Sequence, residues 1–282
     1  MSVTISTGNV LHLHGARSVD PASALRHRIS QWKQQKQHGA SSPAERLIIP
    51  PNPAEPLFVS AAAPAKKKTE VTVKIFFSPV RTAVASRTNA LQHALTQIRQ
   101  SIPLSAPIAY LILSFPEITL VDNDEDDDEE TTTEVASALG EIFEIWTIAC
   151  KMASTFNIQS LGVSDFSASR LGALIKFCKS SSFASPVVNQ INIQDCCVLP
   201  PSFVRLAAEN GVKLSAHNDV LDVLPEEEAA AIVARTAPAG DIEGKQPPSN
   251  WEWFMKTTTV LADRGIVYAL GWSAEFAPVQ YS

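Results

Sequence analysis

The chain is expected to fold as an α/β protein, specifically a (β/α)8 barrel of the TIM type. Two observations predict this. From residue 71 onward, short apolar runs such as Val71–Phe77 (VTVKIFF) and Ile108–Leu113 (IAYLIL) alternate with longer amphipathic segments. Strands that are apolar throughout and separated by helices belong in a parallel sheet covered by helices. The second observation is size. The 282 residues, 45% of them hydrophobic, suit one barrel, for which about 250 residues is typical. The whole chain, 1–282, is therefore read as a single domain. Two irregular parts interrupt it, a Pro/Ala-rich segment at 38–68 and an acidic insertion at 122–133.

The elements follow in order. Val10–His14 (VLHLH) alternates as a short strand does. Ser23–Lys36 carries Leu25, Ile29 and Trp32 at spacings of four and three, which predicts a helix. Prolines then remove backbone donors and fix φ through 38–68, so the second strand is degenerate, with only Leu57–Ser60 as a brief remnant. Val71–Phe77 is a strand, Thr88–Gln100 a helix with Leu91, Leu95 and Ile98 on one face, and Ile108–Leu113 a buried strand. The run DNDEDDDEE from Asp122 to Glu130 is a solvated acidic loop, because like charges at that density repel. It lacks the ligand spacing and central Gly of a calcium loop. Val135–Phe156 reads as a long helix, Gln159–Val163 as a strand and Ser169–Cys178 as a helix opened by a Ser cap. Val187–Ile193 is a strand. Ser202–Asn210 is a helix ended by Gly211, and Val212–Ala216 is the next strand. Trp251–Leu261 is read as a helix and Gly265–Leu270 as the last strand. That makes seven clear strands and one doubtful one.

Composition narrows the function. The formal net charge is −6, and no stripe of Lys and Arg offers a phosphate-binding surface, so nucleic acid is excluded as a partner. The longest apolar runs are too short to span a bilayer, and the start of the chain lacks a basic region followed by an apolar core. Cys150, Cys178, Cys196 and Cys197 match no zinc spacing. Cys150 and Cys178 lie in apolar helical segments and read as buried thiols. A reducing, cytoplasmic compartment follows from these readings, with no membrane and no metal.

The chemistry-bearing residues cluster at strand ends. Cys196 and Cys197 are adjacent, so one of the pair faces outward, as a partner contact or redox group, unless both pack as small apolar groups. His217, Asn218 and Asp219 offer either a contact surface or caps on a following turn. A Cys197–His217 nucleophilic pair lacks any identifiable oxyanion hole or orienting partner, and packing is the simpler reading. His12 and His14 share one face but lack a third metal ligand.

Several of these residues carry a resemblance. Leu161-Gly162-Val163-Ser164-Asp165-Phe166, Asn189-Gln190-Ile191-Asn192 and Leu113-Ser114-Phe115-Pro116 resemble strand ends of aldo-keto reductases over roughly residues 70–220. Within that superfamily, four motifs are similar, in order, to the modifier (regulatory) subunit of glutamate–cysteine ligase. They are Thr7-Gly8-Asn9-Val10-Leu11, Cys196-Cys197-Val198-Leu199-Pro200-Pro201, Ala216-His217-Asn218-Asp219 and Arg264-Gly265-Ile266-Val267. The Pro-rich segment and the acidic insertion depart from that pattern.

The resemblance implies a non-catalytic partner of the ligase catalytic subunit that tunes glutamate affinity and glutathione feedback. It also implies that Ser164, Asp165, Gln190 and His217 stand where the superfamily holds a nicotinamide. The superfamily's reductive chemistry needs a Tyr acid tuned by a Lys and positioned by a His. Ser114 stands at the His position, and the strand 71–77 ends Phe76-Phe77-Ser78-Pro79 where the Lys belongs. Lys74 sits at a different depth of that strand, and none of Tyr110, Tyr268 and Tyr281 lies at a suitable strand end. After the last strand, Gly271–Glu275 supplies no cation for dinucleotide phosphates. The expectation is a chain with no catalytic residues and no cofactor. An NADPH-dependent carbonyl reductase or a nicotinamide-sensing regulator is the alternative.

Overall fold

A computed structural model describes residues 2–11, 20–36, 46–54, 56–57, 69–118, 139–192, 198–220, 222–236, 251–261 and 266–276. Nine strands and six helices occur among them. They are β1 (Ser2–Ser6), α1 (Pro21–Lys36), β2 (Arg46–Ile49), β3 (Thr69–Phe77), α2 (Val84–Ser101), β4 (Tyr110–Ser114) and α3 (Gly140–Met152). There follow β5 (Leu161–Ser164), α4 (Ala168–Ser181), β6 (Val188–Asn192), α5 (Pro201–Glu209), β7 (Lys213–His217), α6 (Glu226–Thr236), β8 (Trp251–Leu261) and β9 (Ile266–Phe276). The α/β class stands. No helix of the described residues is long and apolar enough to cross a membrane.

The chain divides into two compact units. The first comprises residues 1–73, 93–103 and 222–282, the second residues 74–92 and 104–221. β3 and α2 each give one half to either unit.

In the first unit the strand order is β2-β1-β9-β8-β3. β1 runs parallel to β2 and antiparallel to β9, while β8 and β9 form a long antiparallel pair. This corrects two expectations. The segment 251–261 is a strand, not a helix. Its sequence holds the signal: Thr257-Thr258-Thr259-Val260 is a β-branched run, stiff at χ1 and suited to a pleated surface. Burial along β8 alternates over its second half with period two. The first strand is Ser2–Ser6 rather than 10–14. Val10 and Leu11 lie outside it, and 12–14 fall outside the described residues. The apolar face of β1 is short, Val3 and Ile5. Its other face is polar but buried, with Ser6 Oγ accepting from Gln97 Nε2 at 3.0 Å and Ser273 Oγ donating to it at 2.9 Å. In α1 the predicted stripe is found, with Leu25 and Ile29 buried, and Asp20 accepts from the backbone N–H of Ala22 and Ser23 at the helix start. α6 was not anticipated. It opens Glu226-Glu227-Glu228, which favours a helix N-terminus.

The second unit holds the expected parallel run. Its order is β3-β4-β5-β6-β7, and β4, β5, β6 and β7 pair in parallel with α3, α4 and α5 between them. Ile112, Gly162 and Val188 align across β4, β5 and β6. A Cβ on Gly162 would lie 2.3 Å from Val188 Cγ1 and 2.7 Å from the Val188 carbonyl, so a side chain has no room there. α4 is capped by Ser167, whose hydroxyl accepts from the Arg170 N–H. α5 starts with Pro201 at its first turn, and Gly211 follows it at φ 68°, as the sequence predicted. Phe77, Phe115 and Phe166 form an aromatic seam, and the guanidinium of Arg87 lies 5.8 and 5.5 Å from the first two ring centroids. Arg87 also binds Glu117 through two bonds of 2.6 and 2.8 Å.

Candidate functional site

Parallel strands bring their C-terminal ends to one edge, where loops carry function in α/β folds. In the second unit that edge receives Ser164 from β5, Asn192 from β6 and His217 from β7, with Asp165 and Asp219 just beyond the strand ends. Asp165 has φ 62°, the left-handed region that Asp tolerates better than most residues. Its N–H donates to the Gln190 carbonyl at 2.7 Å, which holds the turn and aims the carboxylate back over the strand ends.

The side chains form one network. His217 Nε2 lies 3.0 Å from each Asp165 oxygen and 3.1 Å from Ser164 Oγ. Ser164 Oγ donates to Asp165 Oδ2 at 2.6 Å. Lys74 Nζ donates to Ser164 Oγ at 2.8 Å and pairs with Asp219 Oδ2 at 2.9 Å. The Asn192 N–H donates to Asp165 Oδ1 at 2.9 Å, and its amide donates to the Asp219 carbonyl at 3.1 Å. Behind them Asn189 holds the Phe166 backbone at both its N–H and its carbonyl. The side chains of Lys74 and Asp219 are only 3% and 5% exposed, so this ion pair is shielded from solvent.

The hydroxyl of Ser164 has one donor and two lone pairs. Lys74 donates to one lone pair and Asp165 takes the proton, with His217 Nε2 3.1 Å away. His217 Nδ1 faces two groups of Asp219, the N–H at 3.2 Å and Oδ2 at 3.3 Å. A neutral ring accepts from the former; a protonated ring donates to the latter.

Electrostatics shift both titrations toward the charged forms. Burial works against the charge on His217, but hydrogen bonds to Asp165 and Asp219 outweigh burial and hold its pKa above the usual histidine range, with Lys74 opposing. Burial likewise works against the Asp165 charge. The His217 hydrogen bond and charge, then Ser164 and Lys74, win and hold this carboxyl below the usual carboxylate range.

Of the predicted residues, Ser164, Asp165, His217 and Asp219 come together. Gln190 contributes its backbone carbonyl to the turn. Asn218 is exposed, and Asp219 is ion-paired. Cys196 and Cys197 lie outside the described residues. Lys74, set aside by depth along its strand, belongs to the network. Its four-carbon stem lets the amine reach the strand ends from three residues before the end of β3, and Phe76 lies beneath it at 5.0 Å. Cys178 is buried as expected, its thiol pushed up to about 12 by burial, and Cys150 is half-buried. Among the described residues, no group of three His, Cys, Asp or Glu is arranged to hold a metal ion.

A nicotinamide amide would need donors and acceptors from Ser164 and Asp165. Both are engaged by the His217 ring edge within 3.1 Å, so the residues as arranged do not fit that group.

No family model matches the chain. In sequence it is similar to the glutamate–cysteine ligase regulatory subunit of Rattus norvegicus, 26% identical over 129 residues, which cover 45% of this chain and 43% of that protein. The human protein of that name is 25% identical over the same shares. A Schizosaccharomyces pombe protein carrying the same subunit name is 23% identical over 216 residues, 73% of this chain and 71% of that one. The match thus spans less than half the length of the mammalian relatives. Among solved structures, the chain is similar to an aldo-keto reductase from a deep-sea metagenome library, with TM-score 0.34 and 13% identity over 52% of this chain and 42% of that chain. It is also similar to an aldo-keto reductase from Brucella melitensis, with TM-score 0.32 and 16% identity over 50% and 44%. The family resemblance carried by the motifs is therefore matched by relatives in mammals and fission yeast that are named regulatory subunits of glutamate–cysteine ligase, and to these the chain is similar.

Proposed function

We propose that this chain is a non-catalytic regulatory subunit that binds the catalytic subunit of a glutamate–cysteine ligase, raising its affinity for glutamate and weakening its inhibition by glutathione. The names of the relatives support this, and one structural observation carries the non-catalytic part. The strand-end network is closed on itself. Lys74, the one lysine in it, is held by Asp219 and Ser164 rather than set beside a tyrosine. The described tyrosine of that unit, Tyr110, opens β4 at the opposite end from the network. Four residues of strand separate it from the C-terminal edge, roughly 13 Å at the usual rise. The superfamily's tyrosine acid works beside a lysine, and Tyr110, at the far end of β4, does not stand beside Lys74.

A regulator shifts its partner only by binding two of its states unequally, and a tenfold change needs about 1.4 kcal/mol of coupling. The test is direct. The chain is mixed with the catalytic subunit, and complex formation, the KM for glutamate and inhibition by glutathione are measured. A stable complex with a lower KM supports the reading; no complex and unchanged kinetics refute it. Steady oxidation of NADPH by the chain alone with an aldehyde panel would also refute it.

A further inference from the structure

The outer face of the second unit carries a groove that the strand-end network does not use. It lies between α4 and α5, measures about 560 Å³ and is lined by Gly172, Ile175, Lys176, Lys179, Leu206 and Asn210. The α4 residues recur at spacings of three and four, so they form one helical face. The floor is apolar, with Ile175 buried and Leu206 half-buried, and the walls are cationic, with Lys176 and Lys179 exposed. Lys179 donates one of its three amine protons to Asn210 Oδ1 at 2.7 Å, which holds it across the groove. Among the described residues no carboxylate lines it.

Gly172 is a second signal. Glycine inside a helix costs up to about 1 kcal/mol relative to alanine. Here an alanine would fit, since its Cβ would meet only Leu206 Cδ2, at an ordinary 3.7 Å. What the missing side chain leaves is depth in the groove floor. A basic groove on a chain of net charge −6 is complementary to an acidic ligand, and the open, two-helix geometry suits a polypeptide.

We propose that this groove docks an acidic segment of the partner subunit, one that seats an apolar side chain over Gly172, Ile175 and Leu206 and places carboxylates against Lys176 and Lys179. The proposal rests on the reading of the chain as a ligase regulatory subunit. The two lysines lie one turn apart, so carboxylates at i and i+3 or i+4 of a partner helix match them.

The experiment titrates the full-length chain into the purified catalytic subunit and reads affinity calorimetrically, for wild type, Lys176→Glu/Lys179→Glu, Gly172→Leu and Gly172→Ala, with a thermal melt of each to show that it is folded. The charge reversal is expected to weaken binding by about tenfold or more, and Gly172→Leu to do likewise by filling the floor. Gly172→Ala is expected to bind as wild type and to melt no lower. Wild-type binding with unchanged affinity in the folded charge-reversal and leucine variants overturns the groove while leaving the regulatory reading intact. Failure of the wild type to bind overturns both. Self-association of the chain that is lost on charge reversal assigns the groove to a second copy and overturns the proposal.

Discussion

Lys74→Met is the sharpest probe of the strand-end network. Methionine keeps the apolar stem and removes the amine. In the native protein that amine lies 2.9 Å from Asp219 Oδ2, and neither side chain is more than 5% exposed. Removing one partner of a buried pair leaves the other charge uncompensated, which costs about 3–5 kcal/mol. Against a total stability of about 5–15 kcal/mol this is a large fraction. It corresponds to a fall of about 1–2 M in the urea midpoint at an m-value near 2.5 kcal/mol/M. The double variant Lys74→Met/Asp219→Leu removes both charges, so it should recover much of that loss, since apolar replacement of a whole buried pair is often neutral. A second readout comes from His217. Lys74 opposes its protonation, so in Lys74→Met the imidazole should titrate at still higher pH by NMR. The assay is urea unfolding followed by circular dichroism, with the histidine titration alongside. A cost below about 1 kcal/mol for the single variant, a double variant that loses the sum of its parts, or a His217 titration that moves down would refute the reasoning.

Three further outcomes follow from the same geometry. Gly162→Ala should lower the thermal midpoint strongly, because its Cβ would meet the Val188 carbonyl at 2.7 Å and a carbonyl in a paired strand cannot yield; a melt unchanged from wild type would show that β5 and β6 can part. The folded pKa of His217 is raised, so its contribution to stability is fully present below the unfolded value near 6.5 and is lost as pH rises through the folded value. Asp165 is depressed, so its contribution is present above about 3.9 and is lost as pH falls through its folded value; unfolding free energies of wild type and His217→Asn across pH should converge at the alkaline end. Cys178, with its thiol pushed up to about 12, should resist alkylation in the native protein at pH 8 and react after unfolding, read by peptide mass mapping.

The parallel half of the fold was legible because its signals are local. The apolar runs of β3 and β4 bury on both faces, and Ser167 and Gly211 mark helix ends with the chemistry those ends require. The first unit hid its strands for a physical reason. β1 and β9 bury polar side chains, Ser6, Ser273 and Glu275, that find partners across the sheet and in α2, among them Gln97, His93 and Trp253. Such polar positions break the apolar period, and their partners lie far away in sequence. At the site, the strand-end positions Ser164, Asp165 and His217 could be read from motif and position. Lys74 could not. A lysine inside a strand normally signals a solvated face, and the partners that compensate its burial, Ser164 and the carboxylate of Asp219, lie 90 and 145 residues away.

The charge balance of the network bears on what it can do. Lys74 contributes one positive charge, Asp165 and Asp219 two negative ones. With His217 neutral the buried cluster would carry a net −1; with His217 protonated it carries none. A general acid must surrender its proton readily at the moment of reaction. The hydrogen bonds to Asp165 and Asp219 raise the His217 pKa and so oppose that release. The Ser164 hydroxyl is held too, accepting from Lys74 and donating to Asp165. A fully satisfied buried network rigidifies the elements that supply it. This one ties β3, β5, β6 and β7 together at the edge from which their loops emerge. Its output is a fixed arrangement of strand ends.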